Sequence, residues 1–219
     1  MSPSLVQRPH VLLVAFLVTM LVLFPLLEQT IAGRSALSML MIVGSVAALR
    51  RVASRPGLWL VTVLGALAIV TQVLYAGGWP PPTGFVTALA QTAFYAVAAL
   101  LMCLYMLSDT RATIDELFAA AAAFMLLALA WSMAYWCIEF LNPGAFVAAN
   151  PVLPEHRTWF EFLYLSMTTL TTTGYGDIVP VSSAARSAVI LEQFGGVLYV
   201  ALIIARLAGF AGTTRDEHT

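Results

Sequence analysis

Six long apolar runs with few charged residues account for most of this chain. They lie at residues 11–27, 35–49, 57–77, 84–107, 117–141 and 184–210. Most approach the roughly 20 residues that a helix needs to cross a bilayer. Since 61% of the 219 residues are hydrophobic and only 10% are charged, the composition is far from that of soluble domains. We therefore expect an all-α membrane protein with six transmembrane helices.

The first two runs are the least regular of the six. The second is short, and we expect Thr30 to Gly33 to extend it, with Arg34 reaching toward the lipid headgroups. The first run exceeds the roughly 7 to 15 apolar residues of a signal-peptide core, and further runs follow directly. We interpret it as a span; the alternative is a secretory signal flanked by Arg8 and cleaved near residues 31–33.

The arginines indicate how the spans are oriented. All ten basic residues are arginine. With a cytoplasmic N-terminus and six spans, the cytoplasmic side carries Arg8, Arg50, Arg51, Arg55, Arg111, Arg206 and Arg215, and the outside carries Arg34, Arg157 and Arg186. This asymmetry obeys the positive-inside rule. We expect a multi-pass protein of the cell membrane, in a prokaryote, with both termini cytoplasmic. The net charge of -1 gives no basic surface for nucleic acid, so we expect no nucleic-acid partner.

A short helix followed by a glycine-containing loop precedes the last span. Thr158 and Glu161 have the spacing of a capping box, which predicts a helix over residues 159–170. That run is too short to cross a bilayer, so we interpret it as a re-entrant pore helix. The next residues, 171–177, are non-helical, and such backbone is tolerated at membrane depth only where it lines a water-filled path.

The loop itself reads Thr-Thr-Thr-Gly-Tyr-Gly-Asp. Gly174 and Gly176 can adopt backbone conformations that are closed to other residues. Successive carbonyl groups can then turn to the same side and replace the water around a cation. The pore helix directs its negative C-terminal dipole toward the membrane centre, where it would stabilise a cation. The pattern predicts an ion-conducting loop.

The chain divides into two modules on this interpretation. Residues 1–112 form a four-helix transmembrane scaffold whose runs carry almost no interior polar groups. Residues 113–219 form the pore module, in which Thr113 and Glu116 have capping-box spacing at the start of the fifth span. The turn-rich segment 142–154 separates the fifth span from the pore helix and is interpreted as an external turret.

From Thr113 to Phe210, the order of helix, turret, pore helix, loop and helix resembles the pore domain of tetrameric potassium channels. The resemblance rests on the loop 171–177, on Pro180 and on Gly195-Gly196. It implies a selectivity filter of Thr172, Thr173, Gly174, Tyr175 and Gly176, with Asp177 at the outer mouth. Potassium ions, as permeant ligands, would bind the carbonyls of Thr172, Thr173, Gly174 and Tyr175 and the Thr172 hydroxyl. No cofactor is implied.

The resemblance also implies a homotetramer in the lipid bilayer, because one chain supplies one quarter of a four-fold ring. The Tyr175 ring would point away from the pore and brace the loop against the pore helix. In the last span, Gly195 and Gly196 would form a gating hinge, although close packing against the pore helix remains the alternative. The side facing the central cavity would carry Gln193, Val197, Val200 and Ile204.

Glu192 is an ionisable residue inside the last apolar run, which by default marks a functional site. Alignment with the family places it at the edge facing the pore helix. There we expect it to support the filter by accepting hydrogen bonds from Thr168, Thr169 or Thr173. The alternative is a carboxyl that reaches the outer water layer.

Several departures from the family limit what carries over. Thr173 replaces the usual valine, and its hydroxyl needs a partner. Tyr164 and Leu165 replace the paired tryptophans of the pore helix. Residues 83–108 contain no arginine or lysine, so a charged voltage sensor is missing. Residues 211–219 are too few for a soluble regulatory domain, and we expect none in this chain.

Three other functions compete with a potassium channel. Gly174-Tyr175-Gly176-Asp177 also fits the GxGD pattern of membrane aspartyl proteases, whose chemistry needs two carboxylates. However, Asp109, Asp115 and Asp216 lie at predicted helix ends or in the tail, and no span carries a Tyr-Asp pair. A non-conducting scaffold and a non-selective cation channel are the other two. Cys103 and Cys137 lie in apolar runs and predict neither a disulfide nor a metal site.

Overall fold

The computed structural model describes residues 9–27, 30–50, 53–79, 83–108, 114–149 and 157–216. Within these ranges the chain forms seven helices and two short strands. The helices are α1 (Pro9–Leu27), α2 (Ile31–Leu49), α3 (Arg55–Ala76), α4 (Thr83–Ser108), α5 (Ile114–Leu141), α6 (Trp159–Leu170) and α7 (Ser183–Asp216). The strands are β1 (Phe146–Ala148) and β2 (Ile178–Pro180).

Six of these helices, α1 to α5 and α7, are long and apolar enough to cross a membrane, counted over the described ranges. The prediction of an all-α membrane protein with six spans is therefore confirmed, while the four-fold assembly stays a prediction. The extension of the short second run is also confirmed. Helix α2 begins at Ile31 because the Thr30 side chain caps it, accepting a hydrogen bond from the Gly33 amide at 3.0 Å.

The chain consists of two compact units, Met1–Ala130 and Trp131–Thr219. The division falls inside α5, which continues through it as one helix. The boundary expected from the sequence, between residues 112 and 113, lies outside the described residues. The division into 1–112 and 113–219 stays a prediction.

A chain of buried polar side chains links three helices of the first unit. The Gln91 amide on α4 donates to the Gln72 carbonyl on α3 at 2.8 Å, and the Gln72 amide donates to the Ser35 hydroxyl on α2 at 3.0 Å. All three residues are buried. The expectation that the first four runs carry almost no interior polar groups is wrong. Such groups are tolerated because helices in a membrane satisfy them across their interfaces.

The second unit has a core of aromatic and aliphatic side chains from α5, α6, α7 and both strands. Tyr135 of α5 lies at its centre, with ring centroids 5.1 Å from Phe146 and 6.3 Å from Phe162. Phe146 and Phe162 meet edge to face at 5.1 Å, a preferred geometry for aromatic pairs. The core thereby fixes the start of the turret, the pore helix and the inner helix to one another.

The two strands connect the turret to the chain that follows the loop. They pair antiparallel, with Val147 opposite Val179 in the register. The turn before β1 is closed by Glu139 of α5, whose carboxylate accepts the amides of Gly144 at 2.7 Å and Phe146 at 3.2 Å. The segment was predicted as turns without regular structure, and β1 is an addition to that prediction. Its pairing partner lies about 30 residues away in sequence, so no local pattern indicates it.

Candidate functional site

The site begins with α6, which has the predicted bounds. The capping box is formed in both directions: the Glu161 amide donates to the Thr158 hydroxyl at 3.3 Å, and the Thr158 amide donates to the Glu161 carboxylate at 2.6 Å. Arg157 adds an ion pair to Glu161 at 2.9 Å. With 12 residues, the helix is about 18 Å long at 1.5 Å per residue, too short to cross a bilayer.

The loop after α6 has an alternating backbone. Thr172, Gly174 and Gly176 have φ angles of 59°, 56° and 75°, whereas Thr173 and Tyr175 do not have positive φ. Among the described residues, Thr172 is the one non-glycine in the left-handed region, which L-residues enter only at a cost. In an ordinary strand, where φ keeps one sign, successive carbonyl groups point to opposite sides. When the sign of φ alternates along the chain, the successive carbonyl groups point to the same side. A row of carbonyl oxygens is what a dehydrated cation requires.

Thr168 holds the inner end of this loop. Its carbonyl accepts backbone hydrogen bonds from the Thr173 amide at 2.8 Å and the Gly174 amide at 3.1 Å. The Thr172 amide donates in the same way to the Thr169 carbonyl at 3.0 Å. The loop is thus suspended from the last turn of the pore helix by main-chain bonds.

The Thr173 hydroxyl, which needed a partner, has one within the loop. It lies 2.9 Å from the Thr171 hydroxyl, which also donates to the Met167 carbonyl at 2.6 Å. The Thr168 side chain turns the other way and donates to the Leu165 carbonyl at 2.9 Å. Thr168 therefore contacts the loop through its backbone.

Tyr164 holds the outer end of the loop. The Tyr175 ring stacks on the Tyr164 ring with an interplanar angle of 3° and a centroid distance of 6.2 Å. The Asp177 carboxylate is close enough to Tyr164 to influence its titration. Desolvation, followed by the interaction with Asp177, raises the pKa of Tyr164 above its ordinary value. The Asp177 carbonyl accepts the Ala149 amide at 2.8 Å, which ties the mouth to the turret.

Glu192 lies on α7 and is fully buried. One carboxylate oxygen accepts a hydrogen bond from the Tyr135 hydroxyl of α5, and the other accepts one from the Ser166 hydroxyl of α6. The predicted partners, Thr168, Thr169 and Thr173, are wrong. Ser166 lies nearer the N-terminus of α6 than the predicted threonines do. The carboxyl of Glu192 therefore meets the pore helix before its last turn. Two hydroxyls on otherwise apolar stretches were the signal in the sequence, since a buried carboxylate requires donors.

The glycine pair of α7 occupies two different environments. A Cβ on Gly196 would lie 2.7 Å from the Leu170 carbonyl oxygen, whereas one on Gly195 would have no atom within 4 Å. The helix continues through both residues. The structure thus gives Gly196 the close-packing role, and a hinge at Gly195 stays a prediction.

The residues assigned to the cavity share one property in the isolated chain, namely exposure. They are Gln193, Val197, Val200 and Ile204. Their positions fall at helical spacing along α7. The face that carries them is distinct from the one on which Glu192 is buried. Their role as cavity lining stays a prediction.

Comparison with known proteins provides two matches. Residues 123–212 match the family model described as "Ion channel". The calcium-gated potassium channel TvoK of Thermoplasma volcanium is 31% identical over 68 residues, which cover 31% of this chain and 20% of that relative. The chain thus spans about one fifth of the length of the curated relative it matches. No solved structure matches.

Proposed function

We propose that this protein is a homotetrameric channel that conducts potassium ions passively. Residues 123–212 match the family model described as "Ion channel", which supports this proposal. The observation that carries the proposal is the alternation of φ along Thr172, Gly174 and Gly176. It gives the loop the row of carbonyls that can replace the hydration shell of a cation. The similarity to a potassium channel, TvoK, supports potassium as the permeant ion.

Each chain contributes one loop to a ring of four. The carbonyls of Thr172, Thr173, Gly174 and Tyr175, together with the Thr172 hydroxyl, bind the ions in succession. These residues are exposed in the isolated chain, and the four-fold axis lies along their exposed side. Asp177 places a carboxylate at the outer mouth, where it raises the local concentration of cations.

The pore helix and the inner helix complete the path. The C-terminal end of α6 carries about half a negative charge and points to the cavity below the loop, which stabilises a cation that has left bulk water. Gln193, Val197, Val200 and Ile204 line that cavity. Gly195 supplies the point at which α7 bends on opening.

A non-selective cation channel is the second candidate, because Thr173 stands where the family has valine. Its hydroxyl is bound to that of Thr171 at 2.9 Å, so it does not compete with the carbonyls for the ion. The fixed hydroxyl therefore favours potassium selectivity over the alternative.

The reversal potential in mixed salts tests the proposal. The purified protein is placed in planar bilayers with high potassium and low sodium on one side and the reverse on the other. We expect a reversal potential near the potassium equilibrium potential. A reversal potential near zero supports the non-selective channel, and no current above that of protein-free bilayers contradicts conduction altogether.

The mass of the purified protein in mild detergent tests the assembly separately. A complex of four chains agrees with the proposal, and a monomer contradicts it, since a single loop cannot surround an ion.

A further inference from the structure

Glu192 unites three helices of the second unit through one carboxyl group. Its two oxygens are divided between Tyr135 of α5 and Ser166 of α6. The carboxyl is fully buried, and burial of such a group is tolerated only when its oxygens have donors. An aliphatic residue at this position would leave two buried hydroxyls without their acceptor. The three polar groups therefore form a set that specifies how the helices meet.

A second contact between α6 and α7 lies one helical turn further on. Ser166 and Leu170 are four residues apart on α6, as are Glu192 and Gly196 on α7. Residues at this spacing share a helix face. Gly196 is packed so closely on Leu170 that a Cβ would lie 2.7 Å from its carbonyl oxygen. A hydrogen bond at one turn and a steric contact at the next thus fix the register of the inner helix on the pore helix.

The proposed ion-binding loop is hydrogen-bonded to the same stretch of α6, residues 166–170. Thr168, whose carbonyl accepts the Thr173 and Gly174 amides, lies between Ser166 and Leu170. A displacement of this stretch moves the acceptor that holds the loop. The carbonyl groups of the loop then change their direction, because their peptide units share those amides.

We propose that Glu192 is a positioning residue of the filter, which acts through Ser166 on the pore helix while Tyr135 holds its carboxyl in place. The inference rests on the proposed function, since it assigns a role in ion selection. It concerns hydrogen-bond geometry and does not require contact between Glu192 and an ion. Glu192 does not bond the Thr173 hydroxyl, which is paired with Thr171.

Four variants separate the hydrogen bonds from the packing. Ser166→Ala and Tyr135→Phe each remove one donor, and the phenylalanine keeps the ring in contact with Phe146 and Phe162. Glu192→Val removes the acceptor. Glu192→Gln keeps an oxygen acceptor and an amide donor, to which a hydroxyl can adapt by rotation. Val189→Ala is the matched control, because Val189 is buried in the same core one turn earlier on α7 and its side chain has no hydrogen bond to lose.

Single-channel recording in mixed potassium and sodium provides the functional readout. We expect Ser166→Ala and Glu192→Val to shorten the mean open time by about tenfold, the factor that corresponds to the loss of one strong hydrogen bond, and to lower the potassium-to-sodium permeability ratio. We expect Glu192→Gln and Val189→Ala to remain within about twofold of wild type. Since the two changes remove the same interaction, the double variant of Ser166→Ala and Glu192→Val should be no worse than Glu192→Val alone.

Amide hydrogen exchange of the tetramer provides a readout that does not depend on conduction. We expect exchange in residues 166–174 to be about tenfold faster in Ser166→Ala than in Val189→Ala. The proposal is overturned if Ser166→Ala and Val189→Ala behave alike in both measurements, if Glu192→Gln is as impaired as Glu192→Val, or if the two changes add fully in the double variant. Should the wild type conduct no ions, the proposed function fails, and hydrogen exchange still decides whether Glu192 positions the loop.

Discussion

Gly196 lies against the backbone of Leu170, so closely that the carbonyl oxygen of Leu170 occupies the space beside its missing side chain. This contact joins the inner helix to the end of the pore helix. At the adjacent Gly195, an added Cβ would have no atom within 4 Å. The glycine pair therefore serves two purposes, and substitution separates them.

We expect Gly196→Ala to destabilise the channel and to reduce flux, because the added methyl group meets backbone that cannot move aside without displacing α6. We expect Gly195→Ala to leave thermal stability unchanged or raised by about 0.5–1 kcal/mol, since alanine favours the helix. Thermal unfolding and potassium flux are measured for both. If Gly195 is the hinge, Gly195→Ala lowers the open probability without loss of stability; equal destabilisation by both changes contradicts the assignment.

Gly174→Ala should abolish potassium flux. The φ of Gly174 is +56°, and an L-residue in the left-handed region costs roughly 1–2 kcal/mol in each of the four subunits. Gly144→Ala is a matched control, because Gly144 lies in the turret with a φ of +81° and, as at Gly174, an added Cβ would have no atom within 4 Å. Flux retained in Gly174→Ala, or lost equally in both variants, would show that the left-handed conformation of the loop is not what conduction needs.

Tyr164 has two separable contacts with the outer part of the loop. Tyr164→Phe removes the hydroxyl that interacts with Asp177 and keeps the ring that stacks on Tyr175, so we expect a shorter open time with selectivity retained. Tyr164→Ala removes both contacts, and we expect loss of selectivity as well. Permeability ratios and open times in the two variants are compared with wild type; identical behaviour of the two variants would refute the division of roles.

Opening should depend only weakly on voltage. Voltage sensing requires several charges that move with opening, since each contributes about 2.3 kcal/mol per 100 mV. Helix α4, Thr83–Ser108, carries no arginine or lysine that could supply them. Conductance is measured against voltage in symmetrical potassium. A gating charge of several elementary charges per channel would contradict this expectation.

Much of the second unit could be predicted because its signals are local. The capping box at Thr158 and Glu161 indicates where α6 begins, and the glycines at 174 and 176 indicate where the backbone turns left-handed. The resemblance of residues 113–210 to potassium channels agrees with the match of residues 123–212 to an ion-channel family model and with the similarity to TvoK. Each of these signals lies within a few residues of the structure it specifies.

The remaining features depend on contacts between distant segments. The partners of Glu192 could not be chosen correctly because Tyr135 lies 57 residues away in sequence and because the level at which α7 meets α6 depends on the contact at Gly196. The hydrogen bonds of Gln72 to Ser35 and Gln91 were missed for the same reason: an isolated polar residue in an apolar run does not indicate which helix will supply its partner.

The pairing of β1 with β2 fixes one end of the loop 171–177, and the backbone of Thr168 fixes the other. Because both of its ends are fixed, this loop cannot gain or lose one residue without a change in its backbone conformation. Because left-handed backbone falls on every second residue from Thr172 to Gly176, a single deletion would exchange odd and even positions beyond it, and the carbonyls there would face the opposite side of the loop. The alternation of left-handed positions therefore constrains the loop in addition to its length, and only insertions or deletions of two residues would keep that alternation.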